Sequence, residues 1–148
     1  MIDMDEDDII DNSISLIAAA RLGDINEVSR LIPISNPLYN NSQALCHAVV
    51  RKNTIMAQML APVSDVTLNH CEVLQVATLQ QDTPMIELLY PYCDASATLQ
   101  YMLKNYVPSQ CRALSDAVHM YETQKMEHRV LSDSVSEQAT KNTTQRKM

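Results

Sequence analysis

The chain contains no tryptophan and no phenylalanine, and its one glycine is Gly23. A core without Phe or Trp is filled by Leu, Ile, Val, Met and Ala, which are mostly strong helix formers. One glycine cannot supply the turns of a β-sandwich or a glycine-rich phosphate loop. The composition therefore predicts an all-α protein. No stretch approaches the roughly 20 apolar residues of a membrane span. The first turns of the chain are acidic and lack a basic n-region, so no Sec-type signal is expected and the cytoplasm is the expected location. The four cysteines (Cys46, Cys71, Cys93, Cys111) are spread along the chain without a C-x₂-C pair, which argues against zinc. Without a secretion signal they read as reduced thiols.

The net charge is −7, and Asp3, Asp5, Glu6, Asp7, Asp8 and Asp11 account for all but one unit of it. Residues 1–12 read as a solvated, disordered acidic head. The rest of the chain is nearly neutral and offers no basic patch for phosphates, so nucleic acid is not an expected partner.

What is present is a repeat. Leu16, Leu45 and Leu74 are spaced by 29, as are Ala19, Ala48 and Ala77, then Leu31, Leu60 and Leu89, then Pro33, Pro62 and Pro91. An internal period of this size implies stacked supersecondary units. In the first unit, Ser13–Arg21 reads as a helix with a broad apolar face, and Gly23 is the break where a left-handed residue is cheap. Asp24 is a good N-cap for a second helix over Ile25–Ile32, with Glu27 at the capping-box position. Pro33 and Pro37 bracket a loop. The second unit repeats the plan with helices over Ala44–Lys52 and Ile55–Ala61 and a cap at Asn53. The third places helices over Glu72–Gln80 and from Thr83, with Pro84 at the first helical position. Small residues at 19, 48 and 77 let neighbouring helices approach closely.

The segment LIAAARLGDINEVSRLI, from Leu16 to Ile32, resembles the ankyrin-repeat core L-H-x-A-A-x-x-G-H-x-x-x-V-x-x-L-L. The resemblance covers three units, about 13–41, 42–70 and 71–100, and is good in the first and degenerate in the others. Ankyrin units are about 33 residues long. The missing residues fall in the loop that forms a β-hairpin finger in that family, so short loops and a smaller concave face are expected. The T-P-L-H turn is absent, and Lys52 and Gln81 stand where the family has glycine between helices. Tetratricopeptide, armadillo and HEAT units fit the period less well. The shortened units look most like bacterial ankyrin proteins, some of which are effectors acting on host proteins in the host cytoplasm.

After Gln100 the register fails: Tyr106 stands at the alanine position, and Pro108 interrupts. Ser96–Tyr106 reads as one more helix that begins a cap, so 13–107 holds the repeats and the start of that cap. A longer amphipathic helix over 108–135 reads as a cap on the last apolar face. Residues 136–148 read as a disordered polar tail.

No catalytic constellation stands out. Adjacent helical residues point about 100° apart, so His47 is poorly placed to activate Cys46, and it reads as a partly buried structural histidine. His70, Cys71 and Glu72 sit at a loop-to-helix junction, and His119 and His128 lie on different helix faces. The methionines read as core filler or as an adaptable contact patch. No cofactor, metal or small-molecule substrate is expected. The resemblance puts partner contacts at Arg21, Leu22, Val50, Arg51, Leu79 and Gln80 on the first helices and at Tyr39, Asn40, Asn41 and Asn69 on the rim. Among these Tyr39, Arg21 and Arg51 are of the types enriched in interface hot spots. The expected function is a non-enzymatic module that binds another protein. The alternative is an inhibitor or immunity-type partner of a bacterial effector, toxin or enzyme.

Overall fold

The computed structural model describes residues 4–146, with side chains described through residue 131. Among these residues the chain is all helical, with no strand. Eight α-helices follow in order: α1 Glu6–Leu22, α2 Ile25–Leu31, α3 Tyr39–Val50, α4 Thr54–Leu60, α5 Leu68–Leu79, α6 Thr83–Leu89, α7 Ala95–Asn105 and α8 Arg112–Arg146. They pack as two layers. In one, α1 lies against α3, α3 against α5 and α5 against α7; in the other, α2, α4, α6 and α8 follow the same succession. The core lies between the layers. Leu16, Leu45 and Leu74 are buried there with Ala19, Ala48 and Ala77, and Leu31, Leu60 and Leu89 come from the second layer.

One junction recurs three times. The amide of Gly23 donates to Ala20 and that of Asp24 to Ala19, which closes α1 with a left-handed residue at φ +79°. Lys52 and Gln81 repeat the same pair of bonds, at φ +58° and +57°. The next residue then caps the following helix: Asp24, Asn53 and Asp82 accept from the amides of Glu27, Met56 and Met85. The cap of α6 is thus Asp82, and Pro84 occupies the second helical position instead of the first.

Each pair ends in a 3₁₀ turn, Ile32–Ile34, Ala61–Val63 or Tyr90–Tyr92, with proline in its first turn. Two buried serines tie the exits of these turns to the first helix of the same unit. Ser13 Oγ accepts from the Asn36 amide at 2.9 Å, and Ser42 Oγ accepts from the Asp65 amide at 3.0 Å. The third position of this series is Cys71, buried next to Cys93.

The loop between pairs contains a feature the sequence reading lacks. Asn40, Asn41 and Ser42, and one repeat later Asn69, His70 and Cys71, all have φ between +53° and +59°, a complete left-handed turn before the right-handed helix begins. Non-glycine residues resist this conformation by roughly 1–2 kcal/mol each. Gln75 offsets part of that cost in the second turn, where its Nε2 donates to the carbonyls of Asn69 and His70 at 3.2 and 2.9 Å.

Three expectations change. The acidic head is helical from Glu6, because Glu6, Asp7 and Asp8 lie in the first turn, where the helix dipole favours anions. Asn12 Nδ2 also donates to the Ile34 carbonyl at 3.0 Å, which holds this part of α1 on the first unit. Residues 1–3 of that head lie outside the described residues. α8 continues to Arg146 through most of the expected tail, which contains no glycine or proline to stop it; 147–148 lie outside the described residues. Finally, α7 and α8 take the places of a fourth pair, α7 on α5 and α8 on α6, although the sequence period is lost there. Their junction is a 3₁₀ turn at Pro108–Cys111 in place of the left-handed residue. Tyr121 of α8 stacks on Tyr90, with centroids 4.1 Å apart.

Glycine at the two strained junctions removes the Cβ penalty. Lys52→Gly and Gln81→Gly should each raise stability by about 1 kcal/mol in urea denaturation, and Gly23→Ala should lower it by a similar amount. Ser42→Ala leaves the Asp65 amide without its acceptor and should cost about 1–3 kcal/mol. Cys71→Ser, which installs the residue used at 13 and 42, should be tolerated in the same assay.

Candidate functional site

The solvent face of the first layer is built from one register. On α1 it carries Ile14, Ala18 and Arg21; on α3 Gln43, His47 and Val50; on α5 Glu72, Val76 and Leu79; on α7 Tyr101 and Asn105. Ile14 is 51% exposed, Val50 54% and Leu22 72%, so the face presents isolated apolar groups among polar ones.

His47 is the centre of its positive end. It is half-buried, and its Nε2 lies 3.3 Å from the Gln43 amide nitrogen. Burial lowers its pKa first, and the charges of Arg21 and Arg51 lower it further. His47 therefore faces both arginines, which form no ion pair among the described residues. Arg51 also reaches back to the first junction, where its guanidinium would lie 3.8 Å from a Cβ placed on Gly23. The helix ends add to this. Arg21 lies in the last turn of α1 and Arg51 caps α3, where carbonyl dipoles favour cations.

The contact residues expected from sequence separate into two groups. Arg21, Leu22, Val50, Arg51, Leu79 and Gln80 come together at the C-terminal ends of α1, α3 and α5, where Gln80 Nε2 donates to the Val50 carbonyl at 2.8 Å. Tyr39, Asn40, Asn41 and Asn69 lie at the opposite ends of α3 and α5. At about 1.5 Å per residue, the two groups are some 15 Å apart along each helix. The three asparagines also have a local role. Each occupies left-handed backbone, which Asn tolerates better than most residues. Asn69 Nδ2 donates to Glu72 at 3.2 Å, and Asn40 bonds Gln43.

Between the groups lie residues that the sequence reading did not select: Ile14, Gln43, Glu72 and Tyr101, spaced by 29. That spacing is the signal that could have found them. His70, held out by its left-handed backbone, stacks on Tyr101 with centroids 4.2 Å apart and planes at 11°.

Three of the four thiols are shifted upward by burial. Burial pushes Cys46 upward, with the Glu72 charge adding to it. Burial also raises Cys93, helped by the neighbouring Cys71 thiol, and it raises Cys111. Among the described residues no three His, Cys, Asp or Glu side chains are grouped to hold a metal ion, and no helix is long and apolar enough to cross a membrane. Met56, Met85 and Met102 are fully buried core residues, whereas Met120 and Met126 are 40% and 65% exposed on α8. Met126 continues into an apolar strip with Val130 and Leu131. Comparison with family models, curated proteins and solved structures returns no match.

A depressed His47 pKa means the folded state disfavours the proton that the unfolded chain accepts near pH 6.5. Its contribution to stability is present above that pH and is lost as pH falls through the folded-state value. Denaturation midpoints should therefore fall from pH 7.5 to pH 5, and His47→Gln should flatten part of that slope.

Proposed function

We propose that the chain is a short ankyrin-like solenoid that binds a protein partner through the solvent face of α1, α3, α5 and α7, without catalysing a reaction. One observation carries this reading. Within a single 29-residue register the inward positions repeat, as Leu16, Leu45 and Leu74 or Ala19, Ala48 and Ala77, while the outward positions differ. Ile14, Gln43, Glu72 and Tyr101 share one outward row; Arg21, Val50 and Leu79 share another. A scaffold that repeats its core and varies its exposed rows supports recognition of an extended surface. The upward shift of the Cys46, Cys93 and Cys111 thiols weighs against thiol catalysis.

The centre of the binding face is then the cluster at the helix ends, with Arg51 as its charged anchor and Val50 and Leu79 as its apolar contacts. Affinity capture with wild-type bait, followed by mass spectrometry and a binding isotherm for the recovered protein, tests it. Arg51→Glu and Leu79→Glu should each weaken binding at least about tenfold while leaving the melting temperature within a few degrees of wild type. A recovered partner that binds both variants as tightly as wild type removes this face.

A further inference from the structure

The first helix, like α7, stands at an end of its layer. α3 and α5 each have a layer neighbour on both sides, whereas α1 packs chiefly on α3, α2 and the Ile32–Ile34 turn. Its solvent face is not polar throughout. Ile14 is 51% exposed and Ile10 is 40% exposed, one turn apart on the same face. Residues 7, 14 and 21 are spaced by seven and so lie along one line of the helix. That line reads Asp7, Ile14, Arg21, with Ile10 and Ala18 beside it, each four residues from Ile14.

This arrangement has a symmetry of its own. Turned end for end about Ile14, the helix brings Asp7 onto the position of Arg21 and Ile10 onto that of Ala18. We propose that α1 is a self-association surface whose partner is α1 of a second copy of this chain, antiparallel to it and crossing at Ile14. A two-fold pair needs a self-complementary patch, in which residue i meets j and j meets i. Here the Asp7 carboxylate of each copy meets the Arg21 guanidinium of the other, on both sides of the axis. Ile14 packs on Ile14 at the axis, and each Ile10 covers the smaller Ala18 opposite.

Charge argues for the same occupant. Neither Asp7 nor Arg21 forms an ion pair among the described residues. Asp11 adds to the negative end of α1, and Arg21 lies at its opposite end with Arg51 nearby, both facing His47. Parallel pairing would set acid on acid, so the antiparallel sense is the one the charges permit. No other helix in the layer carries the pattern: the positions matching 14 and 21 are Gln43 and Val50 in α3, and Glu72 and Leu79 in α5. One helix face buries less than the area of a standard interface, so the pair is a weak one whose population depends on concentration and salt. α1 contributes Ile14, Ala18 and Arg21 to the protein-binding face proposed above, so the two associations share these residues; the anchors that test that face, Arg51 and Leu79, lie at the ends of α3 and α5, which keeps the two tests distinguishable.

Sedimentation velocity of the full chain over micromolar to millimolar concentrations tests it. The weight-average mass should rise with concentration from 16.6 kDa towards twice that value. Ile14→Lys, Asp7→Arg and Arg21→Asp should each weaken the dimer at least about tenfold, and the double variant Asp7→Arg/Arg21→Asp should return it to within about threefold of wild type. All these positions are exposed, and unchanged circular dichroism would confirm that each variant folds. A wild-type chain that stays monomeric throughout the range overturns the proposal. So does a dimer indifferent to the single substitutions, or a double variant no stronger than either single one.

Discussion

The structure depends on a reversal of chain direction made by two residues. At 23–24, 52–53 and 81–82 a left-handed residue closes one helix, and an Asx side chain opens the next. Because the same bonds recur at each place, the two helices of a pair meet at a fixed offset. That offset decides which residues of α1, α3 and α5 face inward. A one-residue slip would turn each helix by about 100° and move Leu16, Leu45 and Leu74 out of the core. The exposed rows owe their alignment to this junction as much as the core does. Two of the three left-handed residues are not glycine, so the fold holds strain where the chain could have avoided it.

A second device sets how the chain leaves each pair. The proline-bearing 3₁₀ turn ends the short helix, and a buried hydroxyl from the first helix of the same unit takes up the amide two residues after it. The serine side chain is withdrawn from water, so its hydroxyl depends on this partner. Ser13 and Ser42 serve in this way, while Cys71 and Cys93 meet at the third position. A thiol is a weaker acceptor than a hydroxyl. The connection between the third and fourth pairs therefore relies more on stacking, His70 on Tyr101 and Tyr90 on Tyr121.

Much of this was legible in the sequence, and the parts that were not have physical causes. The lack of Phe and Trp and the single glycine gave the all-helical class, and the Leu, Ala and Pro columns located six helices, with the start of α1 missed. The extent of α1 was hidden, since a run of acids reads as solvated until the helix dipole and the Asn12 bond to Ile34 are seen together. The left-handed turns were hidden because Asn40, Asn41 and Asn69 suit both a rim contact and a positive φ. The fourth pair escaped the repeat because Pro108 rules out the usual junction, and only packing on α5 and α6 restores the plan. Among the site residues, the register placed Arg21, Val50 and Leu79 in one row. It could not show that Tyr39 and Asn69 belong to the other end of the helices.

Two sides of α1 place different demands on its sequence. Toward α3 it must keep Leu16, Ala19 and Ala20, since any enlargement there would push the helices apart. On its solvent face nothing in the monomer restrains it, yet that face carries two isoleucines between an acid and an arginine. The first turn would be stabilised by acids in any case, so Glu6, Asp7 and Asp8 need no partner to explain them. Ile10 and Ile14 have no such local reason, because exposed β-branched residues do not favour a helix. Ile10 and Ile14 are the apolar groups that the proposed antiparallel pairing would cover.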